Sequence, residues 1–310
     1  MKSFEQFVPF LFCMITLLIC LYADPLSRRL RVVDYPDGGR KGHAVPTPLI
    51  GGIAIMLPLS LWCVSVLLFE PDQATQLHLT ILLCGGGVAL MGFMDDQAPV
   101  SPRVRFVMLI LFAIMAFTID PALIGDSLSW GGQAISPFPA WAFCLLIVIG
   151  QVGLVSAINM ADGMNGLVLT LYLVWFLALA LISTGVVQAT ALLVSAMLVI
   201  TLAFNARGRL FLGDCGTFAV TFVLGLLVIA AHNSGWLSFD QMLLWFFIPI
   251  VDCLRLMISR VRRGQAPSEG DRNHFHHRLQ DVFGTTYSCI IYLGAVGASS
   301  ARVGCHAPLR

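Results

Sequence analysis

Charge is the scarcest commodity in this chain. Only 11% of its 310 residues are Asp, Glu, Lys or Arg, against 58% hydrophobic, whereas a soluble domain carries roughly 25% charged residues. So few charges cannot dress a surface that faces water. Net charge is +1, from 18 basic and 17 acidic residues, so the bulk basicity of a nucleic-acid binder is missing as well. None of the nine cysteines forms a C-x-x-C pair. Structural zinc, iron–sulfur clusters and a disulfide framework therefore have no support. The scattered thiols read instead as small buried hydrophobes. The apolar run at 7–21 is followed by no Ala-x-Ala-like cleavage site and is expected to stay as a helix. Internal repeats, low-complexity tracts and a separate soluble domain are absent too.

What the chain has is apolar blocks. They fall near 7–22, 49–69, 77–94, 103–119, 138–158, 167–186, 187–204, 216–232 and 240–258, with a tenth beginning near Tyr287. A helix needs about 20 residues to cross a hydrocarbon core, and these blocks approach that length. They lack the alternation of transmembrane strands. The expected fold is an all-α, polytopic membrane bundle of about ten helices, forming one domain over 1–298. The tail at 299–310 is atypical and reads as cut short. Glycines at 85–87 predict close helix packing with a bend.

Loops alternate in charge. One set (23–48, 95–102, 159–166, 205–215 and 259–286) holds or borders fourteen Lys and Arg residues, and the other (70–76, 120–137, 185–187 and 233–239) holds none. The positive-inside rule then puts the first set in the cytoplasm and the N-terminus outside.

The first set also carries the chemistry. Asp95 and Asp96 end the third block, where two adjacent carboxylates meet the wrong end of a helix dipole. A divalent cation, or pairing with Arg103 or Arg105, would relieve that cost. Asn159, Asp162 and Asn165 stay on one face if the helix runs on through Gly163, and form a capped turn if it does not. Asp214, between Gly213 and Gly216, either caps the eighth block or offers a carboxylate to Mg2+ beside a phosphate. Asn205 precedes it. The segment 271–278, DRNHFHHR, places His274, His276 and His277 beside arginines. Its spacing does not suit zinc and does suit donors to a diphosphate. Lys41 and Arg263 widen that cationic rim, and His43 shapes the cleft entrance behind Pro46 and Pro48. Asp252 and Arg255, three apart on one face, are expected to pair, the alternative being that Asp252 lines the site.

Five blocks in order resemble the polyprenyl-phosphate N-acetylhexosamine-1-phosphate transferases, and within them the bacterial undecaprenyl-phosphate N-acetylglucosaminyl-1-phosphate branch. They are Val33-Asp34-Tyr35-Pro36 leading through His43 and Pro46 to Gly51-Gly52, the Asp95-Asp96 pair, the segments 159–167 and 205–217, and the histidine block. Together they cover 30–278. The resemblance implies transfer of a sugar 1-phosphate from a UDP-N-acetylhexosamine to undecaprenyl phosphate, with release of UMP. It also implies a bacterial inner-membrane location, an active site facing the cytoplasm, and Mg2+ as cofactor, with Mn2+ as a substitute. In family terms Asp95, Asp96 and Asp162 are catalytic acids, and Asp214, with Asp95, binds metal. Lys41, His43, Asn159, Asn165, Asn205, Arg263, His274, His276 and His277 fall to substrate binding. Two departures stand out. Asn165 replaces an acid common in relatives, and ten helices replace the usual eleven. The bilayer and the two substrates are the expected partners, nucleic acid is not, and a dimer is compatible with the sequence. Two other classes stay open on the residues alone: a transporter of an anionic metabolite, and an inactive scaffold of the same fold.

Overall fold

The computed structural model describes residues 2–36, 45–125, 127–131, 133–136 and 139–264. Lys41, His43, His274, His276, His277, the tenth block and the 299–310 tail lie outside the described residues.

All nine remaining apolar blocks are helical. In order they are α1 (Lys2–Leu21), α3 (Gly51–Phe69), α4 with α5 (Gln76–Thr80 and Gly86–Gln97), α6 (Pro102–Ile119), α7 (Ala140–Ala161), α8 (Leu167–Ile182), α9 (Gly185–Asn205), α10 (Gly213–Asn233) and α11 (Phe239–Arg262). Among the described residues seven of these are long and apolar enough to cross a membrane. An eighth span arises if α1 is joined to α2 (Ala23–Leu30), from which it is bent by 77°. α8, at 16 residues, is shorter than a full crossing. The protein is a multi-pass, helical membrane protein.

The helix α2 falls in a stretch expected to be loop. Its charges hide it from an apolar scan, yet Arg28 pairs with Asp24 at 3.2 Å one turn away and Arg31 closes it in the left-handed region at φ 59°. The glycine triplet packs closely against neighbouring helices, as expected. A π-helical turn, Ile81–Gly85, joins α4 to α5, and the glycines are used for contact. A Cβ on Gly87 would lie 2.3 Å from the Phe112 ring of α6.

Two short hairpins complete the fold. β1 (Val33–Asp34) pairs antiparallel with β2 (Thr47–Pro48), placing Val33 opposite Pro48. β3 (Leu128–Trp130) pairs antiparallel with β4 (Gln133–Ile135), Leu128 opposite Ile135. Only the first lies near the clustered acids.

The helix α10 is the core of the bundle, with α3, α5, α7 and α8 packed around it. Dispersion, small residues and internal hydrogen bonds must hold such helices, because lipid tails are as apolar as leucine. Accordingly Gly52 of α3 meets Gly216 of α10 backbone to backbone, where a Cβ on Gly52 would lie 2.2 Å from the Gly216 nitrogen. Gly92 of α5 meets the Asp214 carbonyl in the same way, at 2.5 Å. Gln151 of α7 donates to the Phe222 carbonyl at 2.7 Å, and Gly225 leaves the space its amide fills. Buried hydroxyls of Ser183, Ser195 and Thr201 bond back to carbonyls four residues earlier, so none is stranded in the apolar interior.

Candidate active site

Loops 95–102, 159–166 and 206–212 come together at one end of the bundle, around the first turn of α10. β2 leads there too. Phe211 donates its N–H to the Pro48 carbonyl at 2.8 Å, and Gly51 and Gly52 donate to the Phe211 and Leu212 carbonyls at 3.0 and 2.8 Å. The two glycines after the proline-bounded loop thus let α3 start against the start of α10.

Asp95 and Asp96 share a helix end and point to different partners. Asp96 accepts from the backbone N–H groups of Asp214 at 2.8 Å and Cys215 at 3.0 Å. These are the second and third amides of α10, which lack partners inside their own helix. The carboxylate therefore caps α10 from a different helix and meets the positive end of its dipole. Gly213, at φ +75°, completes the fit, for a Cβ there would lie 2.7 Å from Asp96 Oδ2. Asp95, 8% exposed, accepts from the Val100 N–H at 2.7 Å and from Arg105 Nη1 at 2.8 Å. It clamps the turn into α6. Of the two arginines considered, Arg105 is the one that pairs with Asp95.

Asp214 is not the cap of its helix. Leu212 holds that position without a side-chain bond, and the cap comes from Asp96. The Asp214 side chain is 32% exposed, sits 3.9 Å from the Arg105 guanidinium and lies within electrostatic reach of the Asp95 carboxylate. Asp34, next to the first hairpin's turn, is within electrostatic reach of Asp96. The end of α10 thus gathers four carboxylates, Asp34, Asp95, Asp96 and Asp214, from three segments of the chain, and the Arg105 guanidinium beside Asp95 and Asp214 also lies over the Phe218 ring at 5.9 Å.

The helix α7 stops at Ala161, so the continuous helical face through Asn165 is not formed and the turn reading holds. Gly166, at φ +83°, begins α8. Asn159, still helical, accepts from Thr217 Oγ1 of α10 at 2.8 Å. Asp162 and Asn165 are exposed in the turn. Partial desolvation in the turn, followed by the Asp96 charge, pushes the Asp162 carboxyl up from the ordinary range. Asn165 lies beside Gly208. Asn205 is 5% exposed and uses both ends of its amide on the frame, accepting from the Gly166 N–H at 2.7 Å and donating to the Leu210 carbonyl at 2.9 Å. Arg263 ends α11 and is exposed. Earlier in that helix Cys253 touches Met160 near the end of α7, and Asp252 pairs with Arg255 at 2.8 Å as expected.

Three contributors escaped sequence reading: Thr217, Asp34 as a neighbour of Asp96, and Gly92. A signal existed for Gly92, because it stands one helical turn before Asp96 and shares its face. Small residue and acid together bring α5 close enough to cap α10.

Among the described residues no group of three His, Cys, Asp or Glu side chains forms a closed metal cage. Mg2+ does not require one. It is commonly held by one or two carboxylates, with phosphate and water completing six oxygens. Asp214 fits that requirement, since backbone donors occupy Asp96 and the Val100 amide and Arg105 occupy Asp95.

Comparison with known proteins places these features in a family. An undecaprenyl-phosphate alpha-N-acetylglucosaminyl 1-phosphate transferase from Salmonella typhi is 27% identical, the match covering 93% of this chain and 80% of the relative. The Escherichia coli K12 protein of the same name is 25% identical over the same shares. A decaprenyl-phosphate N-acetylglucosaminephosphotransferase from Mycobacterium leprae is 25% identical over 83% of this chain and 72% of its own. The family model described as glycosyl transferase family 4 matches residues 78–232. That match spans half the chain and runs from α4 through α10, taking in Asp95, Asp96, Asp162 and Asp214: the chain belongs to glycosyl transferase family 4.

Proposed function

We infer that the protein transfers N-acetylhexosamine 1-phosphate, by preference N-acetylglucosamine 1-phosphate, from its UDP derivative to undecaprenyl phosphate. UMP is released and a lipid-linked cell-surface glycan, such as an O-antigen, is begun. The reaction runs at the cytoplasmic face of the bacterial inner membrane. The observation that carries this reading is the acidic end of α10, where Asp214 stands partly exposed beside Asp95 and Arg105 at the level of the helix ends. A lipid phosphate sits at that depth.

An oxygen of the lipid phosphate attacks the phosphorus that carries the sugar. The bond from that phosphorus to the oxygen bridging to UMP breaks, and UMP leaves with the electron pair. Both reactants are polyanions, so alignment and charge screening dominate the barrier. Asp214 would hold Mg2+, with Asp95 beside it. Mg2+ when bound supplies Lewis-acid neutralisation of the diphosphate. Arg105 keeps Asp95 and Asp214 from repelling each other and fixes their orientation. Asp162, exposed in the turn with its carboxyl pushed up from the ordinary range, suits removal of the residual proton on the lipid phosphate. Asn159, Asn165, Lys41, His43, Arg263, His274, His276 and His277 supply donors to phosphate and sugar, and Asn205 holds the floor on which they act.

Purified protein with undecaprenyl phosphate and a panel of UDP-sugars should release UMP only with Mg2+ or Mn2+, fastest with UDP-N-acetylglucosamine. Asp214→Asn should insert normally and lose at least about 100-fold in rate, as removal of a major electrostatic contributor does. Full activity with an unchanged Mg2+ titration in that variant would refute the metal assignment. A transporter would accumulate the anion in liposomes without releasing UMP. A scaffold would do neither.

A further inference from the structure

At the end of the bundle remote from Asp214 there is a cavity of about 490 Å3, lined by Trp62, Glu70, Gln73, His78, Gly185 and Val186, among other residues. Its size falls in the range of small-ligand sites. It lies where α3 ends, α4 begins and α9 begins. Leu68 and Phe69 are exposed at the same level, so its mouth is at the boundary between acyl chains and headgroups.

His78 is 3% exposed. Its Nδ1 accepts the Thr75 N–H at 3.2 Å and contacts Thr75 Oγ1 at 2.9 Å. A backbone N–H can only donate, so Nδ1 is the bare nitrogen and Nε2 carries the proton. That N–H has no partner among the described residues. The ring is held by Trp62, with centroids 5.1 Å apart, so the donor cannot swing away to find one. Gly185 and Val186 are the first residues of the 21-residue helix α9, which has no side-chain cap. Their amides and the helix dipole add a second donor set to the same cavity. These groups ask for phosphate. The turn between α3 and α4 asks for the opposite charge, because Glu70 lines the cavity, Asp72 follows it, and the segment 70–76 has neither Lys nor Arg.

We propose that this cavity binds the headgroup of a zwitterionic phospholipid of the phosphoethanolamine type, its phosphate on His78 Nε2 and the α9 amides and its primary ammonium on Glu70. A purely anionic headgroup would bring its charge against Glu70 with no ammonium to answer it, and a quaternary ammonium has no N–H to give Glu70. The site is independent of the transfer reaction and of the acids around Asp214.

The full chain is placed in nanodiscs of equal parts phosphatidylethanolamine, phosphatidylglycerol and phosphatidylcholine, and lipid retained on extraction is counted by native mass spectrometry. Retention of phosphatidylethanolamine about tenfold above either competitor is expected, the size of one hydrogen bond to a charged group. Glu70→Gln, at a half-buried turn position, should cut the preference over phosphatidylglycerol to about twofold or less. Val186→Pro deletes one α9 amide where a helix tolerates proline, and should lower retention of all three lipids. Equal retention of the three by the unaltered chain, or unchanged retention in both variants, overturns the proposal. Millimolar phosphoethanolamine is the second arm. Retained lipid should resist it, and displacement would hand the cavity to a soluble metabolite and overturn the lipid assignment.

Discussion

α6 and α10 have almost the same apolar character and opposite fates. In α10, 89% of the spanning window is buried in protein, and in α6 only 22%. Leu111, Ile114 and Phe106 of α6 are exposed to the surroundings of the bundle, while Phe218, Phe222 and Leu227 of α10 are enclosed. Hydrophobicity cannot tell the two apart, since lipid and protein interior are equally apolar. The distinguishing marks are small residues and hydroxyls. α10 has Gly213, Gly216, Gly225, Thr217 and Thr221, and each is in contact with a neighbouring helix or with a side chain that fills its space. α6 has no glycine, its one hydroxyl, Thr118, bonds back to the Ile114 carbonyl of its own helix, and its contribution to the site is Arg105, reaching it from the first turn.

The largest effect is expected where α10 tolerates least. Gly52→Ala would drive a methyl into the Gly216 backbone, with no flexible side chain to yield. The loss should be about 3 kcal/mol, at the upper end for overpacking, seen as a collapse of the thermal midpoint in detergent and of activity with it. Asp96→Ala should follow, at about 1–3 kcal/mol, because two α10 amides lose a charged cap. Hydrogen exchange at Asp214 and Cys215 should quicken more than elsewhere in the helix, and uniform protection would show that the cap is not what holds that turn. Arg105→Met should cost about 1–2 kcal/mol by leaving Asp95 with the Val100 amide as its remaining partner. A double-mutant cycle with Asp95→Asn measures the coupling. The smallest effect is expected for Leu111→Ala on the outer face of α6, within about 0.5 kcal/mol. A loss above 2 kcal/mol there would mean that another protein surface covers α6, and would erase the contrast between the two helices.

How much of this could be read from the sequence follows the same division. The nine apolar blocks correspond to nine helices because a 3.6-residue repeat inside lipid leaves a long apolar run as its trace. Local pairs were legible too. Asp252 with Arg255, and Asp95 with a nearby arginine, lie within ten residues of each other. The gathering of Asp95, Asp162 and Asp214 at one end was legible through the alternation of loops. What stayed hidden depends on partners far along the chain. Asp96 looked like a costly charge at a helix end, and its compensation lies on α10. Asn205 looked like a ligand and is a brace, because its partners Gly166 and Leu210 flank it on both sides of the fold. The helix α2 was invisible for another reason: it is charged, and its hydrogen bonds rather than its hydropathy define it.

The bond from Asp96 to the Asp214 amide spans 118 residues, and this has a consequence for biosynthesis. During translation α5 enters the bilayer with its acidic end complete, and the amides that satisfy it have not yet been made. Until α10 is inserted, that end must rely on solvent and on Arg105. A ribosome-stalled or prematurely terminated chain that stops before Gly213 would therefore display two neighbouring carboxylates at the membrane surface with half of their partners missing. Such a chain is marked as unfinished by its own chemistry, and membrane quality control would meet it as a charged, unlatched helix end.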